Sequence, residues 1–336
     1  MKVAIFNDTR TTSHFGCMLV MRNLLRELKD AGIEVSWTYP VSTDWRKNKR
    51  TILKKPKVDA IIVNGEGTIH RAEERKFAMA LASLAKFAAK KMDTPCYLLN
   101  ATLHKNSPRV YELISHYRAV YVRDQKSLQE LNEAGLAGKY VPDLTFAGDS
   151  KAPAKATTGA CVIDSAVKED SAALKAYSED KKIPFRSMIV ARPGNAKFIR
   201  SPRPYVKNVY RWLKSERRVS TDPDTYISYL RDHSLVITGR YHTVTMCVKN
   251  QIPFVALESN TPKVNSLLND IFSNDLRSMT MTEVEKLEPL TGKPFSDQEI
   301  ESMEAFCDMA RDSIRSMIRN IAADIRSEKL NDYSYV

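Results

Sequence analysis

The chain has 336 residues, 43% of them hydrophobic, with 11 Gly and 15 Pro, which excludes a disordered or fibrous protein and fills two domains of ordinary size. No window reaches the roughly 18 uninterrupted apolar residues that span a bilayer, and no signal-peptide core opens the chain. A cytoplasmic protein is expected, with peripheral contact to the inner face of a membrane left open. The formal net charge of +12 predicts a negatively charged partner, and the absence of any RNA- or DNA-binding signature turns the expectation away from nucleic acid.

Residues 3–6 read as a buried strand, after which Met21, Leu24, Leu25 and Leu28 recur at helical spacing until Gly32 stops the helix. Ile33, Val35, Trp37 and Tyr39 alternate as a half-covered strand, and the continuous run 60–63 predicts a central one. A long helix follows, with Phe77, Ala80, Leu81, Leu84 and Ala88 on one face. Strand 96–99, helix 110–116, strand 119–122, helix 125–134 and strand 140–141 repeat the unit, so residues 1–148 form a doubly wound, Rossmann-like α/β lobe. Residues 149–159 are polar and contain turn-forming residues, the natural linker. A second lobe over 160–290 shows the same pattern, with strand 235–237, helix 242–250, strand 254–257 and helix 263–270. Residues 291–330 form a C-terminal helical segment, opened by a capping box at Ser296 and Glu299.

In open parallel sheets ligands gather beyond the carboxyl ends of the strands. Beyond the first strand lies a polar loop with Ser13, His14 and Gly16 entering a helix. Beyond the central strand come Asn64, Gly65, Glu66 and Gly67, where the glycines allow close backbone approach and Glu66 offers a carboxylate. Arg123-Asp124-x-x-Ser127 reads either as a helix cap with an ion pair or as cleft residues.

The density of Arg and Lys over 186–218, Arg192 included, is suited to lining a cleft. Strand 235–237 runs into Gly239-Arg240-Tyr241-His242 at a helix start. A partial positive charge, a fixed guanidinium and an imidazole that titrates near neutrality meet there, which suits a phosphate or carboxylate. Lys263 falls at the next strand-to-helix crossing. The cysteines form no CxxC pair and the other histidines have no metal-ligand spacing, so neither a metal nor a disulfide is expected. No P-loop, GxGxxG, GxSxG or HExxH is present.

Taken in order, Asn64-Gly65-Glu66-Gly67, Val122-Arg123-Asp124-x-x-Ser127, Pro142-Asp143, Gly239-Arg240-Tyr241-His242 and residues 253–263 resemble the polysaccharide pyruvyl transferase family over nearly the whole chain. The resemblance implies a glycosyltransferase-B-like (GT-B-like) pair of lobes. It also implies transfer of pyruvate, as a ketal, from phosphoenolpyruvate to a sugar of a cell-surface polysaccharide or exopolysaccharide. The donor is then a phosphorylated small molecule used as co-substrate with no further cofactor, and the acceptor a glycan or lipid-linked glycan.

Carried onto this chain, Arg240 holds the donor and His242 transfers a proton, the two catalytic candidates. Ser13, His14, Gly16, Asn64, Gly65, Glu66, Gly67, Arg192, Tyr241 and Lys263 are candidates for substrate binding. Family members commonly carry an arginine at the end of the second lobe's first strand, where this chain has Asp164-Ser165. That departure keeps a second reading open, a glycosyltransferase with a nucleotide-sugar donor.

Overall fold

The computed structural model describes residues 1–150, 158–195, 202–258, 263–274, 276–287 and 293–333. Residues 151–157, most of the expected linker, and 259–262 and 288–292 lie outside them. The chain divides into two compact units that interleave along the sequence. One is made of Met1–Thr9, Arg22–Ala147 and Met309–Val336, the other of Arg10–Met21 and Gly148–Asp308. The sequence reading ran the lobes in succession, whereas the loop after the first strand belongs with the second unit and the end of the C-terminal helix with the first.

The first unit is a six-stranded sheet of β1 (Lys2–Asp8), β2 (Glu34–Pro40), β3 (Ala60–Asn64), β4 (Cys96–Ala101), β5 (Ala119–Val122) and β6 (Lys139–Tyr140), all pairs parallel. The order β2-β1-β3-β4-β5-β6 puts the topological switch between β1 and β3. β3 and β4, buried at every residue, are the continuous apolar runs, as expected of strands covered on both faces.

The long helix expected over 77–88 is two, Lys76–Ala82 and Leu84–Met92, broken at Ser83. There ψ opens to −2° and the Ser83 hydroxyl donates to the Ala80 carbonyl, a local bond that competes with the helix ladder. Phe77, expected on the core face, is exposed. In the same unit the C-terminal helix is held by Asp324, which accepts from Tyr97 Oη at 2.7 Å and from Arg118 Nε and Nη2 at 2.9 and 2.8 Å.

The second unit repeats the topology with β7 (Thr158–Ser165), β8 (Phe185–Arg186), β9 (His233–Gly239), β10 (Phe254–Leu257) and β11 (Ser278–Met279), again all parallel. Their order is β11-β10-β9-β7-β8, so the switch falls between β7 and β9. Its core is Val162, Leu174, Leu235, Ile237, Val255 and neighbours. Residues 188–191, apolar enough to read as a strand, make only an isolated bridge, Ile189 to His14. The C-terminal helix, Asp297–Tyr333, spans 37 residues and opens with the predicted capping box. Ser296 N donates to Glu299 at 2.8 Å and Glu299 N donates to Ser296 Oγ at 3.2 Å. Among the described residues no helix is long and apolar enough to cross a membrane.

Candidate active site

β9 ends at Gly239, and Arg240 stands before the helix Tyr241–Lys249, which is buried from Tyr241 to Val248. Gly239 is required by its neighbour in the sheet. β7 and β9 pair Ser165 with Gly239, and a Cβ on Gly239 would lie 2.4 Å from both Cβ and Oγ of Ser165. At this switch point Arg240 Nε and Nη2 donate to Asp164 Oδ1 and Oδ2 at 2.9 and 2.7 Å. The pair is largely enclosed, with side chains 14% and 8% exposed.

Asp164 holds more than the arginine, since Ser187 Oγ and Met188 N also donate to it, at 2.7 and 3.0 Å. Met188 in turn fixes the loop that follows β1. Phe15 N donates to the Met188 carbonyl at 3.2 Å and Val190 N to the Ser13 carbonyl at 3.0 Å. Phe15 stacks on Tyr226 with centroids 4.5 Å apart.

This relay sets the His14 ring edge-on to His242, centroids 5.5 Å apart at 78°. His242 is buried and lies so close to Gly16 that a Cβ there would meet its Cβ, Cγ and Nδ1 at 2.3 to 2.4 Å. Burial holds the His14 imidazole well below its ordinary value of 6.5, and electrostatic interaction with His242, Arg240 and Lys263 pushes it the same way. His14 is therefore a neutral base at pH 7. Its Nδ1 accepts from Cys17 N at 3.3 Å, which leaves Nε2 as the protonated nitrogen.

Ser13, His14, Gly16, Arg240, Tyr241, His242 and Lys263 thus belong to one unit. His14, Cys17 and His242 bring possible donor atoms within 4.8 Å of one another, a spacing a zinc-class ion could use. The cations Arg240 and Lys263, whose field already works against a proton on His14, work equally against a metal ion there.

Three arginines of the basic stretch are committed to their own surroundings. Arg186 lies over Phe15, Tyr226 and Tyr229 at 5.5, 5.4 and 4.5 Å. Arg192 donates to the carbonyls of Ala191 and Glu216 at 3.1 and 2.8 Å and to that of Val219. Arg211 pairs with Glu216 at 2.6 Å.

In the first unit, Asn64, Gly65, Glu66 and Gly67 sit at that unit's own switch point. Glu66 Oε1 accepts from Thr9 Oγ1 at 2.7 Å and Asn64 Nδ2 at 2.8 Å, and Asn7 Nδ2 donates to the Asn64 carbonyl at 2.6 Å. Asn7, Glu66 and Asn100 all have left-handed backbone, φ 64, 40 and 57°, a strain that concentrates at functional sites. Arg123 and Asp124 resolve toward the cap with an ion pair. Asp124 accepts from Ser127 N at 2.8 Å, and Arg123 Nη1 donates to Asp143 Oδ2 at 2.7 Å.

Sequence reasoning missed Asp164 as a site candidate, noting it only as part of the strand end where an arginine was lacking at Ser165. The available signal was pairing: an acid at the end of one strand beside a basic residue at the end of its parallel neighbour.

The sequence profile of the polysaccharide pyruvyl transferase family matches residues 14–261. No protein of curated function gives a significant sequence match. Among solved structures, a putative UDP-N-acetylglucosamine 2-epimerase from Listeria monocytogenes is similar at TM-score 0.54 and 11% identity, over 98% of this chain and 97% of that one. The UDP-GlcNAc 2-epimerase of Methanocaldococcus jannaschii, in complex with UDP-GlcNAc and UDP, gives 0.49 and 11% over 92% and 99%. The likeness to the Listeria protein is one of fold, two Rossmann-like α/β lobes of the GT-B-like kind with a long C-terminal helix here.

Proposed function

Because the chain belongs to the polysaccharide pyruvyl transferase family, and is thus a transferase, we propose that it moves pyruvate from phosphoenolpyruvate onto two hydroxyls of a sugar as a ketal. The observation that carries this reading is the pair of imidazoles, His14 and His242, beside Arg240 and Lys263. Ketal formation consumes two hydroxyl protons, delivers one proton to the donor's methylene carbon and releases inorganic phosphate with the other. An imidazole that relays a proton and a neighbouring imidazole N–H that donates a hydrogen bond fit that demand. His242 takes a hydroxyl proton from the acceptor and passes it to the methylene carbon, the Nε2–H of His14 donates a hydrogen bond to the donor, and Arg240 and Lys263 offset the donor's negative charge.

Arg240 directs two donors at Asp164 and retains Nη1 for a ligand, without a partner among the described residues. The strand-end cluster of Asn64, Gly65, Glu66 and Gly67 is the candidate for hydroxyl recognition. The enzyme works in the cytoplasm on a glycan or lipid-linked glycan.

Incubation with phosphoenolpyruvate and a panel of glycan acceptors should release phosphate only when an acceptor is present, and His242→Ala should abolish the release. The clamp of Asp164 on Arg240, beside Ser165 where the family commonly has an arginine, favours the second reading of a nucleotide-sugar donor. A rise in melting temperature with nucleotide sugars and none with phosphoenolpyruvate would decide for that reading.

A further inference from the structure

Residues 202–216 form a helix that carries a second, outward apolar face: Tyr205, Val209 and Trp212 are half-buried on its inner side, and Val206, Tyr210 and Leu213 are exposed on the other. The helix Pro202–Arg211 has no buried residue and continues as a turn of π-helix over Trp212–Glu216. An ordinary surface helix turns its apolar stripe to the core. Here Val206, Tyr210 and Leu213 are 58, 61 and 59% exposed. They account for three of the seven large hydrophobic side chains exposed among the described residues, within eight positions of one another. At about 100° per residue they fall within an arc of about 60°.

Polar contacts add to the half-buried Tyr205, Val209 and Trp212 on the inner side. Arg211 Nη2 donates to the Ile189 carbonyl at 3.0 Å and its guanidinium pairs with Glu216, while Arg192 donates to the Glu216 carbonyl at 2.8 Å. The element is tied down on its inner side and still offers Val206, Tyr210 and Leu213 to solvent.

Its charge is equally one-sided. Arg203, Lys207, Arg211, Lys214, Arg217 and Arg218 face a single acid, Glu216, which Arg211 already neutralises. Arg203, Lys207 and Lys214 are exposed and lie on the flank of the apolar arc, about 60 to 100° round from Val206. Lys214 Nζ rests over the Tyr210 ring at 5.6 Å, so the ring's apolar body and a cation share one edge.

We infer that this helix docks the second unit on an anionic phospholipid surface. Val206, Tyr210 and Leu213 enter the boundary between headgroups and acyl chains, and Arg203, Lys207 and Lys214 meet the lipid phosphates. A protein partner would need a matching acidic groove. A bilayer supplies the negative plane and the apolar layer beneath it together, and the narrow arc with cations on its flank fits that geometry. The inference does not rest on the donor or the acceptor.

Co-sedimentation of the full chain with phosphatidylcholine vesicles, with and without one third phosphatidylglycerol, tests it. Binding is expected only to the anionic vesicles and should weaken with salt. Because each cation near the surface contributes about fivefold in partitioning, Lys207→Glu with Lys214→Glu should lower binding by at least about 25-fold. Val206→Ser with Leu213→Ser should lower it at least about tenfold, and exposure at all four positions leaves the fold intact, which melting curves verify. In Leu213→Trp, quenching by lipids brominated on the acyl chain should exceed that of the wild type. Failure to bind, equal binding to both vesicles, undiminished binding of the variants or unchanged quenching would each overturn the inference. So would salt-sensitive retention on heparin without vesicle binding, which would assign the face to a soluble polyanion.

Discussion

Asp164 grips Arg240 through two parallel hydrogen bonds of 2.9 and 2.7 Å across 76 residues of sequence, at the point where the strand order of the second unit reverses. The bidentate pairing fixes the plane of the guanidinium, so Arg240 presents its remaining N–H groups in one direction. The same carboxylate accepts from Ser187 and Met188 and so holds the segment on which His14 docks. Asp164→Ala strips an acceptor from a largely enclosed cation and from a buried amide at once. A loss of about 3–5 kcal/mol is expected, read by chemical denaturation, and turnover should fall with it even in protein that remains folded. A change below 1 kcal/mol would mean that the clamp is dispensable.

The acid range provides a second check, through His14. In the unfolded chain its imidazole takes up a proton as the pH falls below 6.5, whereas burial and electrostatic interaction with His242, Arg240 and Lys263 delay this in the folded protein. Between those two points the unfolded state holds more protons, so folding stability declines as pH falls below 6.5, and the effect is absent above it. His14→Gln should flatten that decline when unfolding is measured at pH 7.5, 6 and 5. At neutral pH the same variant should lower turnover by about 100-fold if the His14 N–H stabilises the reacting donor. Identical pH slopes for the two proteins would refute the buried neutral base.

Gly16 is predicted to admit no side chain. A Cβ would sit 2.3 Å from His242 Cβ, and the ring it would displace is buried. Gly16→Ala should therefore cost about 1–3 kcal/mol by overpacking. It should also reduce kcat more than KM, since it moves the proton donor without touching Arg240. Steady-state kinetics on the folded variant give the split, and an unchanged kcat would remove the positioning role.

The central strands of both sheets were legible because apolar runs with both faces covered leave a strong mark in sequence, whereas the two-residue strands Phe185–Arg186 and Ser278–Met279 are too short to leave one. The break at Ser83 was not, since one hydroxyl turning to its own backbone leaves the apolar period intact. The tetrapeptide from Gly239 to His242 could be found by its place after a strand. Its closest partners could not, because Asp164 lies 76 positions away and His14 more than 200, in a loop that follows a strand of the other unit. Charge was the weakest guide. Arg192 and Arg211 contribute to a basic run in sequence, yet in the fold they hold backbone carbonyls and Glu216. The apolar period of residues 206–213 says nothing of which side faces the body.

The motif Arg123-Asp124-x-x-Ser127 is expected to serve folding rather than chemistry. Arg123 and Asp143 are 2% and 0% exposed and meet at 2.7 Å, while Arg123 Nε also donates to Thr102 Oγ1 at 2.7 Å. Arg123→Met leaves Asp143 as a buried charge without its cation and should cost about 3–5 kcal/mol. Removing both charges, Arg123→Met with Asp143→Leu, should cost markedly less than the sum of the two single changes, because neither charge is then stranded. Urea denaturation of the four proteins measures the coupling. If the motif is structural, each variant that folds should keep a KM for the donor within about threefold of the wild type. A folded Arg123→Met protein with its donor KM raised tenfold or more would instead place this arginine in contact with the substrate.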